Sequence, residues 1–191
     1  MRIILASGSP RRRELLSALG LSFEVYKPDA DESHSDSEKP GELCARLSRL
    51  KAHAGSEAFP DALVIAADTI VVIDGVILGK PVDRDDAVRM LKLLQGREHE
   101  VLTGLSVGVG GNVRTCVEHT RVKFRTLSDD EIEAYAASGE CDDKAGAYAV
   151  QGKGSLLVEG IIGDYFNVVG LPVCRLGMML YNLGINIIAD N

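Results

Sequence analysis

The segment "ALVIAADTIVVIDGVIL", Ala62 to Leu78, constrains the fold more than any other part of the chain. It opens on the unbroken apolar run "ALVIAA". That is the pattern of a strand covered on both faces rather than one half-exposed to water. After Asp68 come two β-branched runs joined by Asp74-Gly75. Asp-Gly between such runs signals a type I′ hairpin. A doubly covered strand needs helices against its faces, so the flanking sequence should supply them.

It does. "RIILAS" reads as a short strand; Ser9 stands as N-cap and Pro10 at the first helical position, so residues 10–19 read as a helix closed by Gly20. "SFEVYK" reads as a second strand, followed by the carboxylate-rich loop "PDADESHSDSEKP". From Pro40, Leu43, Leu47, Leu50 and Ala54 recur at helical spacing to about residue 57. Ala87, Met90, Leu91 and Leu94 make the apolar face of the next helix, ended near Gly96. "HEVLTGLSVGVGGNVRTCVEHTRVKFRTL" reads as two long strands around a "VGGN" turn. Ser128 with Glu131 is a capping-box pattern opening a helix to roughly residue 138, and Leu176, Met179, Leu180 and Leu183 mark the last helix. This alternation predicts an α/β fold: a mixed sheet flanked by helices, bent into two lobes with a central cleft, with residues 1–191 as a single domain.

Composition sets outer bounds. With 191 residues, 46% hydrophobic and 26% charged, the chain is globular in type. The formal net charge of -7 weighs against non-specific binding to nucleic acid or anionic membrane, so a polyanion would need a local basic pocket. No apolar run approaches a membrane span, and Met1-Arg2 leads straight into a β-type run without a leader pattern. Cys44, Cys116, Cys141 and Cys174 form no CxxC pair, which predicts reduced thiols and a cytoplasmic protein. His34, His53, His99 and His119 show no zinc spacing.

Two glycine motifs fail as nucleotide loops. In "GVILGKP" the glycines stand too close together and Pro81 follows Lys80 where a P-loop needs Ser or Thr. "SVGVGGNV" lies between strands and precedes no helix. "SGSPRRR" is different. A strand–turn–helix junction presents unpaired N–H groups and positive potential to an anion, and Ser7 and Ser9 add hydroxyl donors. Cations in a first helical turn are unfavourable by roughly 0.3–1 kcal/mol each unless an anion offsets them. Successive helical residues point about 100° apart, so Arg11, Arg12 and Arg13 cannot all face one ligand; two on the site and one outward is expected. The plainer reading is a solvated basic turn with Arg11 paired to Glu14.

Asp68 sits where "ALVIAA" meets the hairpin, and a carboxylate among apolar residues needs a lysine or a metal ion as partner. Thr69 adds a hydroxyl, Asp31-Glu32 could add an oxygen ligand of the kind Mg²⁺ prefers, and Lys51 and Lys80 could balance charge. Each alone is more often part of a surface ion pair, and their weight lies in company.

Taken in order, "LASGSPRRRELL", the "DE" after the second strand, "RLSRLKA", "AADTIVV", "GKP", "DKAGAYAVQG" and "VVGLP" resemble the Maf family of nucleoside triphosphate pyrophosphatases. The likeness runs from Leu5 to Pro172 and on into the last helix. "DKAGAYAVQG", with Thr69 after the aspartate, resembles the dTTP/UTP-directed branch rather than the one acting on 7-methyl-GTP. Leu50 departs where a glutamate often precedes the lysine, and Ala149 where glycine is common. The resemblance implies a strongly bent Maf/ITPase-like fold and cleavage of a nucleoside triphosphate to monophosphate and pyrophosphate with Mg²⁺ or Mn²⁺. It makes Asp68 general base and metal ligand, with Glu32 sharing the metal. Arg11 and Arg12 would take phosphate oxygens, and Lys51 and Lys80 would complete the phosphate cage. Arg11, Thr69 and Gln151 would bear on base preference, and Arg13 falls at a variable position. A homodimer is a further expectation of the family. The alternative role is a nucleotide-sensing regulator of septum formation that binds a protein or RNA partner.

Overall fold

The computed structural model describes residues 1–31, 33 and 38–189. In chain order the strands and helices are β1 (Ile3–Ala6), α1 (Pro10–Ala18), β2 (Glu24–Tyr26), α2 (Pro40–Ala58), β3 (Leu63–Ile73), β4 (Val76–Leu78), α3 (Arg84–Leu94), β5 (Glu98–Val109), β6 (Asn112–Phe124), α4 (Asp129–Ala136), β7 (Val158–Ile162), α5 (Tyr165–Val169) and α6 (Val173–Tyr181). Short 3₁₀ turns occupy Ala145–Ala147 and Gly152–Leu156. The seven-stranded sheet has the order β2-β1-β3-β5-β6-β7, with β4 paired to β3. It is mixed: β1 is parallel to β2 and β3, whereas β3–β4 and β6–β7 are antiparallel. The predicted α/β class is the observed one.

The chain divides into two compact units. The first comprises Met1–Asp68, Thr103–Glu118 and Gly170–Asn191, the second Thr69–Leu102 and His119–Val169. In the first, side chains of β1 and β3 alternate between two buried clusters. Ile3, Leu5, Leu63, Ile65 and Ala67 pack with Leu16 of α1 and Leu176 and Leu180 of α6. Ile4, Ala6, Val64 and Ala66 pack with Ala52 of α2. Both faces of these strands are therefore covered, as the unbroken apolar run requires. Each fully buried Leu or Ile contributes roughly 1.5–3 kcal/mol. Gly104 of β5 admits α2 at close range: a Cβ there would lie 2.1 Å from the Cys44 carbonyl oxygen.

The second unit gathers Leu91, Leu94, Phe124, Ile132 and Tyr148 into one core. Asp74 (φ 51°) and Gly75 (φ 77°) both adopt the positive φ that a type I′ turn demands. Asp83 caps α3 by accepting from the Asp86 N–H at 2.8 Å, and the Ser128/Glu131 capping box opens α4. β2 is shorter than "SFEVYK" because its register with β1 runs only from Glu24 to Tyr26. β3 continues through Asp68 as one strand of 11 residues. Leu183 lies beyond α6, which ends at Tyr181. No helix among the described residues is long and apolar enough to cross a membrane.

Candidate active site

At the start of α1, Ser9 occupies the N-cap position with extended backbone but makes no side-chain cap bond. Ser7 intervenes instead: its buried Oγ accepts from the Ser9 N–H at 3.2 Å and from Arg12 Nη1 at 3.0 Å. With two bonds accepted, the hydroxyl has only its proton left to offer, which makes it a donor. The expected Ser9 cap thus holds in position but not in bonding. The first turn of α1 carries no acidic residue.

The three arginines differ sharply. Arg12 is buried, and its Nε donates to the Gly170 carbonyl at 2.8 Å; Arg11 is half-buried and Arg13 exposed. One arginine faces outward, as helical geometry requires, and it is Arg13, the position that the family resemblance makes variable.

Lys51 of α2 and Asp68 of β3 meet in the same unit. Lys51 Nζ lies 2.6 Å from Asp68 Oδ1, with side chains 11% and 12% exposed. The partner that the sequence demanded for Asp68 is therefore a lysine. Removing one member of such a pair strands a buried charge, at about 3–5 kcal/mol. Nearby on α2, burial and the Asp68 charge push the Cys44 thiol up to about 12, so it is no nucleophile at neutral pH. A hydroxyl chain fixes the middle of α2: Ser48 Oγ to Ser106 Oγ at 2.9 Å, then Ser106 Oγ to Thr115 Oγ1 at 2.8 Å.

Thr69, Lys80 and Gln151 belong to the second unit. Thr69 is half-buried and follows Asp68 in β3; Lys80 is exposed just beyond β4. The Gly146 N–H donates to the Gly79 carbonyl at 3.0 Å, tying the "GKP" segment to the "DKAGAY" segment. Gly146 needs to be glycine twice over, with φ 69° and a Cβ position 2.9 Å from Val71 Cγ1. Gln151 is exposed at the head of the Gly152–Leu156 turn.

A family profile described as Maf-like protein matches residues 2–183. The chain belongs to the Maf family. Among relatives, a protein of Symbiobacterium thermophilum named dTTP/UTP pyrophosphatase is 48% identical over 183 residues, 96% of this Maf chain and 94% of its own. One of Caldanaerobacter subterraneus, with the same name, is 53% identical over 92% of this chain and 86% of its own. In Acetivibrio thermocellus a third so named is 48% identical over 98% of both chains. Among solved structures, the Staphylococcus aureus Ham1 protein aligns with a TM-score of 0.47 and 16% identity, over 65% of this chain and 72% of its own.

In this Maf chain, no three His, Cys, Asp or Glu side chains among the described residues gather into a metal-binding group. Glu32, expected to share a metal with Asp68, lies outside the described residues. Asp68 nevertheless suits a magnesium-type ion, which takes one or two carboxylates and fills its remaining positions with water and phosphate oxygens. Sequence reading missed Gly170, Gly104, Tyr135 and Glu140. Gly170 acts through its carbonyl and Gly104 by having no side chain, and Glu140 stands in a Gly/Asp-rich connector without periodicity.

Proposed function

We propose that this Maf chain hydrolyses nucleoside triphosphates, preferring dTTP and UTP, to the nucleoside monophosphate and pyrophosphate. The observation that carries the reading is the buried Lys51–Asp68 pair, a positioned carboxylate in a chain whose relatives bear the dTTP/UTP pyrophosphatase name. Asp68 accepts a proton from water as the water oxygen bonds to the α-phosphorus, and the bond from that phosphorus to the bridging oxygen breaks. Lys51 donates to the carboxylate and orients it. Ser7, Ser9, Arg11 and Lys80 take the phosphate oxygens; Arg12 adds its charge and holds Ser7 as a donor. Gln151 and Thr69 offer donor and acceptor groups to the pyrimidine edge, and Arg11 contributes to that preference. Asp68 and Glu32 would hold a Mg²⁺ or Mn²⁺ ion, which would neutralise charge on the phosphate oxygens. We read residues 1–191 as one functional domain, working in the cytoplasm as its free thiols suit, and forming a homodimer that sedimentation can detect.

The test incubates pure protein and Mg²⁺ with a panel of triphosphates and follows both phosphate products. Pyrophosphate should appear first; orthophosphate as first product, or no turnover of any pyrimidine nucleotide, overturns the reading. Asp68→Asn should abolish turnover, and retained activity would remove Asp68 from the role of base.

A further inference from the structure

We infer that Glu140 is a positioning residue for base selection: it pins the turn that presents Gln151. This rests on the reading of Gln151 as a base-contacting residue. The two oxygens of Glu140 are divided between successive backbone groups, Oε1 accepting from the Lys153 N–H at 3.2 Å and Oε2 from the Gly154 N–H at 3.3 Å. The same carboxylate covers Gly152, which has φ +64° and whose Cβ position would lie 3.1 Å from both oxygens.

The other limb of the turn is held as firmly. Tyr135 Oη accepts from the Ala149 N–H at 3.0 Å, and a Cβ on Gly154 would overlap the Ala149 carbonyl oxygen, 1.9 Å away. Residues 149–154 therefore close on themselves, with Gln151 at the exposed apex and its side chain making no cap bond. Glu140 is itself anchored to the end of α4. Its N–H donates to Ser138 Oγ at 3.3 Å, and that hydroxyl donates to the Tyr135 carbonyl at 2.7 Å. A rigid frame thus leaves one amide side chain open to a ligand. The discriminating power of such an amide depends on its placement, since a misplacement of about 1 Å can cost on the order of a hundredfold.

The experiment compares kcat/KM for UTP with that for CTP, two substrates that differ only at the base edge. It uses the unaltered protein, Glu140→Ala, Glu140→Gln, Gln151→Ala and the Glu140→Ala/Gln151→Ala double variant, each with a thermal melt. Glu140→Ala should lower the UTP:CTP ratio by roughly tenfold or more, and Glu140→Gln, which keeps one accepting oxygen, by less. In the Gln151→Ala background the Glu140 change should leave the ratio where Gln151→Ala set it. If Glu140→Ala is not recovered folded, a lowered ratio in Glu140→Gln still supports the inference. An unchanged ratio in both Glu140 variants while Gln151→Ala collapses it would overturn the inference and leave the base reading standing. An unchanged ratio in Gln151→Ala overturns the base reading, and this inference with it.

Discussion

Adjacent arginines in "PRRR" are sent to different surroundings by a rotation of about 100° per residue. Arg13 meets solvent, whereas Arg12 turns inward to the Gly170 carbonyl, 158 residues further along the chain. Arg12→Ala would leave that carbonyl and one Ser7 lone pair buried without their donor. Urea unfolding should show a loss of about 2–4 kcal/mol for Arg12→Ala and less than about 0.5 for Arg13→Ala. Equal losses would mean that the division between the two is wrong. Sequence geometry could say that one arginine must face away. It could not say that a second would be claimed by the protein's own backbone, because that partner exists only once the chain has folded.

α2 illustrates the same limit at the scale of an element. Its Pro40 start was plain in the sequence, as was the Asp74-Gly75 hairpin, because both signals are local, but Leu50, counted with Leu43 and Leu47 on its apolar face, is exposed while Lys51 and Ala52 are buried. Its seat was not plain, because Gly104 reads as one more strand residue until the Cys44 carbonyl is found against it. Gly104→Ala must push α2 away, and Lys51 with it. We expect about 1–3 kcal/mol of destabilisation in a thermal melt, and a fall in kcat larger than the rise in KM because the Lys51–Asp68 geometry suffers. A variant with a normal kcat would separate the helix seat from the chemistry. Asp68 shows the converse: a carboxylate beside "ALVIAA" announced its need for a partner, and the structure supplied one of the two kinds named.

For the whole molecule, pH dependence offers a global readout of one buried group. His99 is 2% exposed, bonded through Nε2 to the Tyr148 hydroxyl at 2.8 Å and stacked edge-on against Phe124. Burial lowers its pKa from 6.5 to about 4. The folded state therefore resists a proton that the unfolded chain accepts, and stability declines as pH falls from 6.5 towards 4, by about 3 kcal/mol in all, then levels off. His99→Gln keeps a partner for Tyr148 and removes the titration. Denaturant melts at a series of pH values should show a flatter slope for the variant across that window, and parallel slopes would contradict the assignment. The division of the chain has one more consequence, in the order of its making. The buried residues that pack with Phe124 and Ile132 in the second unit lie between Val71 and Leu157, whereas the first unit's core still awaits Leu171, Leu176 and Leu180. A ribosome moving along this message thus finishes the buried core of the second unit before it can close that of the first, and β1 is among the last strands to be fully covered.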